Sequence, residues 1–480
     1  MSLASDRSLQ LSAPLPASTQ LTGWGANKRT PCYLACPETV AEVASRLDPH
    51  GTIARGLGRS YGDAALNTHG MVLGMPRVDR YLAFDDATGV LVCEAGVSLE
   101  RIIRDFAPRG WFPMITPGTK FVTVGGCIAN DVHGKAHHAQ GSFSACVESM
   151  TVLLASGQVL NASREEHSDL FWASFGGMGL LGVILTAAIR LRKIETTYFR
   201  QQPIHARNLD EMLAALDEND AKYPYSVAYV DPVATGDKLG SGILTVGDHA
   251  TRAELPPELA KDPLHVSGPA KLRLPFELPE IALNPLTIRI VNVAIKQLQS
   301  STKPFKHYEG FFYPLDIAHD WNRAYGKRGF TQYQFVIPFD DGPRRLRELL
   351  GAIVSSGELP FLNVLKRMGK QSEGHLSFPT EGYTFAIDFP IRAGTEALTR
   401  RLDAMVLDAG GRIYLGKDAF VNAETFRAMY PRLDEWLAVK RKYDPDTLFT
   451  SDLGRRVGLV PEAATRASEP EPADVEALIR

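Results

Sequence analysis

Two glycine-rich stretches constrain this chain more than any other feature. "ARGLGRSYGDAALN" covers residues 54–67 and "ITPGTKFVTVGGCIANDVHGKAHHAQGSF" covers residues 115–143. Glycine admits positive φ and puts no side chain in the way, so two such loops can bring many backbone N–H groups to one point. Converging N–H groups form an anion cradle suited to a diphosphate. Neither loop is of the Rossmann kind. In the first, Gly56, Gly58 and Gly62 are followed by "DAALNTHGMVLG", which is no helix. The one literal GxGxxG, at Gly177, Gly179 and Gly182, precedes "VILTAAIRLR", which alternates like a strand. A nucleotide fingerprint needs a helix there. We expect those three glycines to serve packing, and a phosphate-bearing cofactor to sit on the two earlier loops.

The rest of the chain narrows the class. At 480 residues it is long enough for more than one packed domain. A net charge of −3 gives no general pull on phosphate backbones, so nucleic acid is not an expected partner. Of the five cysteines, Cys32, Cys36, Cys93, Cys127 and Cys146, the first two share a CxxxC spacing, but no CxxC or paired histidines complete a zinc site, so free thiols and no metal site are expected. The first residues show no basic start followed by an apolar core, and no apolar run reaches the roughly 20 residues that span a bilayer. These features predict a cytoplasmic protein without a signal peptide, peripheral at a membrane at most.

Local pattern gives the texture. "PETVAEVASRLD" (37–48) predicts a helix opened by Pro37, and Ser98 predicts a cap on "LERIIRDFAPRG". "YLAFDDATGVLVCEAGVSL" reads as a hairpin. After about residue 197, helical stretches ("LDEMLAALDEND", "RRLRELLGAIVSSG", "TEALTRRLDAMVLDAGG") alternate with strands such as "YQFVIPFD" and "YTFAIDFPI". That alternation predicts a second domain, a sheet with helices on one face. The final residues, rich in Pro, Ala and Glu, predict a tail without stable structure.

The two loops together resemble the FAD-binding domain of the vanillyl-alcohol oxidase superfamily, also called PCMH-type, and in particular its decaprenylphosphoryl-β-D-ribose oxidase branch. The same branch is resembled by "LTGWG" (21–25), "WNRAYG" (321–326), "QYQFVIP" (332–338), "FLNVLK" (361–366) and "AETFRAMYPRLDEW" (423–436). The resemblance implies an α+β fold: an FAD-binding domain over 15–196, an inserted substrate domain of antiparallel sheet and helices over 197–412, and a segment over 413–460 that returns to the first. Residues 461–480 lie outside it as a disordered tail.

Residue by residue, the resemblance places FAD on Arg55, Gly56, Leu57, Gly58, Arg59, Ser60, Tyr61 and Gly62, and on Pro117, Gly118, Thr123, Val124, Gly125, Gly126 and Cys127. Asn130, His133, Gly134 and Gly141 continue that wall. Many relatives bond a first-loop histidine covalently to flavin. Arg59 stands at that position here, so non-covalent FAD is implied. Tyr61 matches an aromatic beside flavin and substrate. His133 matches an active-site histidine, and a ring titrating near neutral pH can help deprotonate an alcohol. Lys417, in "YLGKDAF", matches a lysine near flavin and substrate, where a fixed cation stabilises negative charge as it develops. Gln332, Gln334, Thr384 and Lys366 match the substrate pocket. Gln332 and Gln334 alternate onto one strand face, and a lysine can meet a phosphate as a point charge. Mycobacterial members carry a cysteine where this chain has Ala386, which puts fine substrate preference in doubt.

The implied activity is FAD-dependent oxidation of the 2'-hydroxyl of a polyprenyl-phosphoryl-β-D-ribose by hydride transfer to flavin, with a separate NAD(P)H-dependent keto-sugar reductase completing an epimerisation. The competing readings are a sugar, alditol or aldonolactone oxidase of the same superfamily, echoed by "YLGK", and a flavin-binding scaffold without turnover. Residues 275–300, apolar and broken by Pro279 and Pro285, predict a lid over a lipid tail.

Overall fold

The computed structural model describes residues 15–462, apart from 232–233, 269–271, 359, 361, and the stretch 280–302, where 284, 286, 287 and 297 alone are described. Most of the expected lid and the C-terminal tail after 462 therefore lie outside the described residues. No helix among the described residues is long and apolar enough to cross a membrane.

The described residues are α+β, built on three large sheets and one two-stranded sheet. The first runs in the order Ser18–Thr22, Arg29–Ala35, Met71–Gly74, Thr52–Arg55, antiparallel at its first pair and parallel beyond. The expected helix over 37–48 is shorter than its sequence pattern. It spans Val40–Ser45, because Thr39, not Pro37, accepts the Glu42 N–H as its cap. The second sheet is antiparallel: Tyr81–Asp85, Val90–Glu94, Val183–Lys193, Val147–Leu153, Val159–Ser163, with Trp111–Pro113 paired beside Val183–Lys193. Its first two strands are the expected hairpin, and Ser98 caps the helix Leu99–Phe106 by accepting the Arg101 N–H. The GxGxxG glycines sit between the helix Ser168–Ser174 and the strand Val183–Lys193. A Cβ on Gly177 would strike the Ala173 carbonyl and one on Gly182 the Leu153 carbonyl, so these two are packing glycines, whereas Gly179 has room for a Cβ and takes φ +76°.

The third sheet has eight strands in the order Phe305–His307, Tyr198–Ala206, Gly242–His249, Tyr225–Val230, Asn363–Met368, Gly382–Pro390, Phe330–Ile337, Arg412–Ile413. Side chains alternate between its faces. On one face Tyr333, Phe335, Ile337, Leu365, Phe385, Ile387 and Phe389 join a core with Leu213 of the helix Leu209–Asn219, Leu349 of Gly342–Ser355 and Leu402 of Thr395–Asp408. These are the three helices the sequence pattern predicts. The other face carries Gln332, Gln334, Lys366, Thr384 and Asp388, in register across neighbouring strands.

After Ile413 the chain turns to the earlier sheets. Trp436 Nε1 donates to the Ala173 carbonyl at 3.0 Å. Lys440 Nζ donates to the carbonyls of Leu180 and Phe449 and to Asp444. Leu448 and Thr450 hydrogen-bond to either side of Thr52 at the start of a first-sheet strand. One apolar cluster accordingly holds Met71 and Leu73 together with Leu448 and Phe449.

Candidate active site

The first glycine loop leaves the strand Thr52–Arg55 and is anchored from below. Arg55 is buried, and its guanidinium donates to the carbonyls of Thr22 and Ala65 at 2.7 and 3.3 Å. Gly58, at φ +65°, sits over that guanidinium, where a Cβ would have no room. Trp24 and Gly25 donate N–H bonds to the carbonyls of Ser60 and Tyr61. The N–H groups of Gly56, Leu57, Gly58, Arg59 and Ser60 have no acceptor among the described residues. Five consecutive half-buried donors are thus left open, and unpaired backbone donors of this kind need a partner.

The second loop is organised differently. Thr123 caps the helix Val124–Ala129, and the N–H groups of Val124, Gly125 and Cys127 donate to the carbonyls of Val97, Ala95 and Thr123. Gly126 N–H donates to Thr123 Oγ1 at 3.2 Å. Val124 and Cys127 turn fully buried side chains into the core. Residues 124–127 therefore fix the helix and the floor of the site, and the open cradle belongs to the first loop. Gly118, Pro117's neighbour, has open space around its Cα. Gly134 packs on the Thr116 carbonyl, and Gly141 takes φ +77° at the end of the helix His137–Gln140. Asn130 joins the loops: its Oδ1 accepts from Ser60 Oγ at 3.5 Å and its carbonyl accepts from Tyr414 OH at 3.1 Å.

Arg59 does not enter the cradle with an ion pair. Its guanidinium carbon lies 3.8 Å from the centre of the Trp24 ring, and its Nε is buried without a partner. Trp24, in turn, meets Trp321 edge-on at 5.7 Å.

Lys417 is delivered by a tight turn. Tyr414 N–H donates to the Gln334 carbonyl at 2.9 Å, the N–H groups of Lys417 and Asp418 fold back to the Tyr414 carbonyl, and Tyr61 N–H donates to the Gly416 carbonyl at 3.1 Å. Lys417 Nζ donates to Gln332 Oε1 and lies 5.5 Å from the centre of the Tyr61 ring. Burial brings this lysine down to about 8, against the pull of the Asp388 carboxylate. Burial and then the Lys417 charge bring Lys366 down to about 7.

His133 stands between. Its Nε2 lies 2.9 Å from Gln334 Nε2, and that amide also donates to Thr384 Oγ1 at 3.1 Å. Thr384 donates to the Phe335 carbonyl. With Gln334 donating, His133 Nε2 accepts and the ring proton sits on Nδ1, which is buried without a protein partner. Burial, then Lys366, His137 and Lys417, hold His133 well below its ordinary value, so the ring is neutral. Phe378 and Tyr414 flank it at 5.4 and 5.0 Å between ring centres.

The site residues expected from the sequence thus meet: Tyr61, His133, Gln332, Gln334, Lys366, Thr384 and Lys417 gather at one polar wall. Ala386 lies on the same wall, opposite Gln334. Several others went unread. His137 packs edge-on to His133 at 6.2 Å. Asp131 is fully buried at φ +40° and gathers Ser142, Ser372 and Ser377 hydroxyls and the Ser144 N–H, which fixes the turn ahead of His133. Asp388 accepts from Gln332 and from Tyr325 OH. Its signal was visible: it is the lone charged residue in the run "YTFAIDFPI".

Over 455 residues, 93% of this chain and 99% of the relative, the sequence is 40% identical to the decaprenylphosphoryl-beta-D-ribose oxidase of Mycolicibacterium smegmatis. The chain belongs to the decaprenylphosphoryl-β-D-ribose oxidase family. The family described as "FAD binding domain" matches residues 31–163, which contain both glycine loops, and the family described as "D-arabinono-1,4-lactone oxidase" matches 326–457, which contain Gln332, Asp388 and Lys417. An L-gulono-1,4-lactone dehydrogenase of Mycobacterium tuberculosis is 25% identical over 427 residues, 87% of this chain and 93% of its own length. As a member of the decaprenylphosphoryl-β-D-ribose oxidase family the protein is an FAD-dependent oxidoreductase. Its residues fit the cofactor: the five open N–H groups supply an anion cradle, and the buried, unpartnered atoms of Arg59 and His133 lie beside it or on the adjoining wall.

Proposed function

We propose that this enzyme oxidises the 2'-hydroxyl of a polyprenyl-phosphoryl-β-D-ribose to the 2'-keto sugar, the first half of an epimerisation to the arabinose form. The observation that carries this reading is the polar wall of the eight-stranded sheet. With His133 and Lys417, which meet it from the loops, that wall gathers two amides, a neutral histidine and two lysines, one of which, Lys366, has no hydrogen bond or ion pair among the described residues. An unpaired buried cation calls for an anion, and the phosphate of the substrate is that anion in this reading.

FAD, when bound, accepts the hydride. The donors of Gly56 to Ser60 would hold its diphosphate, with Gly118 and Asn130 completing the wall, and Arg59, a guanidinium at the first-loop linkage position, could not form the covalent flavin bond there. Lys417 holds a fixed positive charge where negative charge develops during transfer, an effect worth on the order of 10²–10³ in rate. Gln332 and Gln334 orient sugar hydroxyls, since each amide offers both a donor and an acceptor. With its proton on Nδ1 and its Nε2 taken by Gln334, His133 can donate to the oxygen of the hydroxyl that reacts, and the expectation that it removes the hydroxyl proton does not fit this arrangement. Tyr61, edge-on to Phe330 at 5.2 Å, closes the pocket from the first loop.

A lipid tail also has a place to go. Leu272, Phe276, Leu286 and Ile317 are exposed, and Leu272–Arg273 pairs with Ala318–His319, beside Asp316, which accepts from Thr119 and Lys120 of the second loop. Exposed apolar side chains on elements that adjoin the second loop support a polyprenyl substrate and contact with a membrane surface. The 2'-keto product requires an NAD(P)H-dependent reductase as its partner.

The match of 326–457 to the D-arabinono-1,4-lactone oxidase family keeps an aldonolactone oxidase as the second reading. Anaerobic flavin reduction by polyprenyl-phosphoribose, free pentose and aldonolactone separates the two. Fast bleaching by the first alone supports the proposal. Bleaching by lactone alone overturns it in favour of the second reading, and no bleaching by any of them removes both.

A further inference from the structure

We propose that Asp388 is a positioning residue that keeps Lys417 charged and aimed, acting through the side-chain amide of Gln332. The inference rests on the role given to Lys417 above and adds a residue to it.

Asp388 is fully buried on the polar face of its strand, directly across the ladder from Gln332. Its Oδ1 accepts from Gln332 Nε2, and Gln332 Oε1 accepts from Lys417 Nζ. Turning the amide over would set its NH₂ against an ammonium and its oxygen against a carboxylate. The two charges therefore fix its direction, and the amide dipole joins them. Oδ2 accepts from Tyr325 OH at 3.0 Å. Tyr325 stacks on Phe330 at 4.0 Å, Phe330 meets Tyr61, and the Tyr61 ring faces Lys417. The carboxylate is thereby held from both sides within a closed ring of contacts around the lysine.

The other groups around Lys417 do not supply this. Lys366, on the neighbouring strand, repels it, and His133, from the loop after Val124–Ala129, is neutral. Tyr61, on the first loop, is held un-ionised by burial. Asp418, the next residue, turns its carboxylate to Arg456 and to the N–H groups of Phe420 and Val421. Burial raises Asp388 to about 6 and lowers Lys417 to about 8. Between those values both are charged, and the link carries its full effect.

The test uses the FAD-loaded protein. The rate of anaerobic flavin reduction by the polyprenyl-phosphoribose and the flavin midpoint potential, which needs no substrate, are each followed from pH 5 to pH 10. In the parent protein both carry an alkaline inflection where Lys417 loses its proton. Asp388→Asn is expected to move that inflection down by about one pH unit, a tenfold loss in the proton affinity of Lys417, and Asp388→Glu to restore much of it. Gln332→Met, which cuts the link with both ends in place, is expected to shift it in the same direction and carries the test should Asp388→Asn not fold. Lys417→Ala is expected to abolish the inflection and slow reduction on the order of 10²–10³. An unshifted inflection in Asp388→Asn and Gln332→Met, alongside its loss in Lys417→Ala, overturns the role of Asp388 and leaves that of Lys417. Parent-like rates and inflection in Lys417→Ala overturn both.

Discussion

Arg456 Nη1 lies 2.7 Å from Asp418 Oδ2, and its Nη2 lies 2.7 Å from Asp63 Oδ1. One side chain from the last helix, Asp452–Arg456, thereby ties the first glycine loop to the turn that delivers Lys417. The two strands of chain touch so closely that a Cβ on Gly62 would run into the Asp418 carbonyl. Removing one partner of a buried ion pair leaves an uncompensated charge, at a cost of about 3–5 kcal/mol. Here two carboxylates, each about 5% exposed or less, would be stranded. Arg456→Met is expected to lower the melting temperature and to weaken FAD retention on a desalting column, while Arg456→Lys keeps part of both. Parent-like melting and flavin content in Arg456→Met would show that the clamp is dispensable.

Arg59 stacks on Trp24; the resemblance sets it where many relatives carry the histidine of a covalent flavin link, and a guanidinium has no chemistry to make that bond. Acid precipitation is expected to release the yellow colour into the supernatant. Flavin fluorescence retained on the denatured chain in a gel would contradict this.

Lys366 is held at about 7 by burial, so the unfolded chain binds its proton more tightly than the folded chain does. The charged lysine therefore destabilises the fold fully below pH 7, and the penalty fades as pH rises toward its ordinary value of 10.5. Lys366→Met is expected to raise the melting temperature by about 2–4 °C at pH 6, with the gain vanishing near pH 10, while KM for a phosphate-bearing substrate rises. A gain that is equal at both pH values would trace to packing instead of charge.

Phe276 and Ile317 are 61% and 68% exposed. Their joint replacement by Ser is expected to leave stability within about 0.5 kcal/mol, as for most surface positions, and to raise KM for a long-chain polyprenyl substrate well above that for a short-chain analogue. Equal effects on both chain lengths would remove the patch from lipid recognition.

Much of this protein was written in local pattern. The hairpin Tyr81–Glu94, the Ser98 cap and the three helices over the third sheet follow from alternation, periodicity and capping, which act between near neighbours. The glycine loops announced an anion site for the same reason, because a glycine's backbone freedom belongs to the residue alone. Gln332 and Gln334 were placed on one face by the two-residue period of a strand.

The distribution of donors was not legible, because it depends on what each loop packs against. Gly56–Ser60 keep their N–H groups open, whereas those of Val124 and Gly125 are taken by Val97 and Ala95, residues close in space but remote in pattern. The ladder that sets Asp388 across from Gln332, and the returning segment that brings Lys417 beside Tyr61, join positions 56 and 356 residues apart in the chain. No periodicity spans such separations. Strand register and chain return are settled by which faces can be buried together, and that energy exists only once the whole chain has packed.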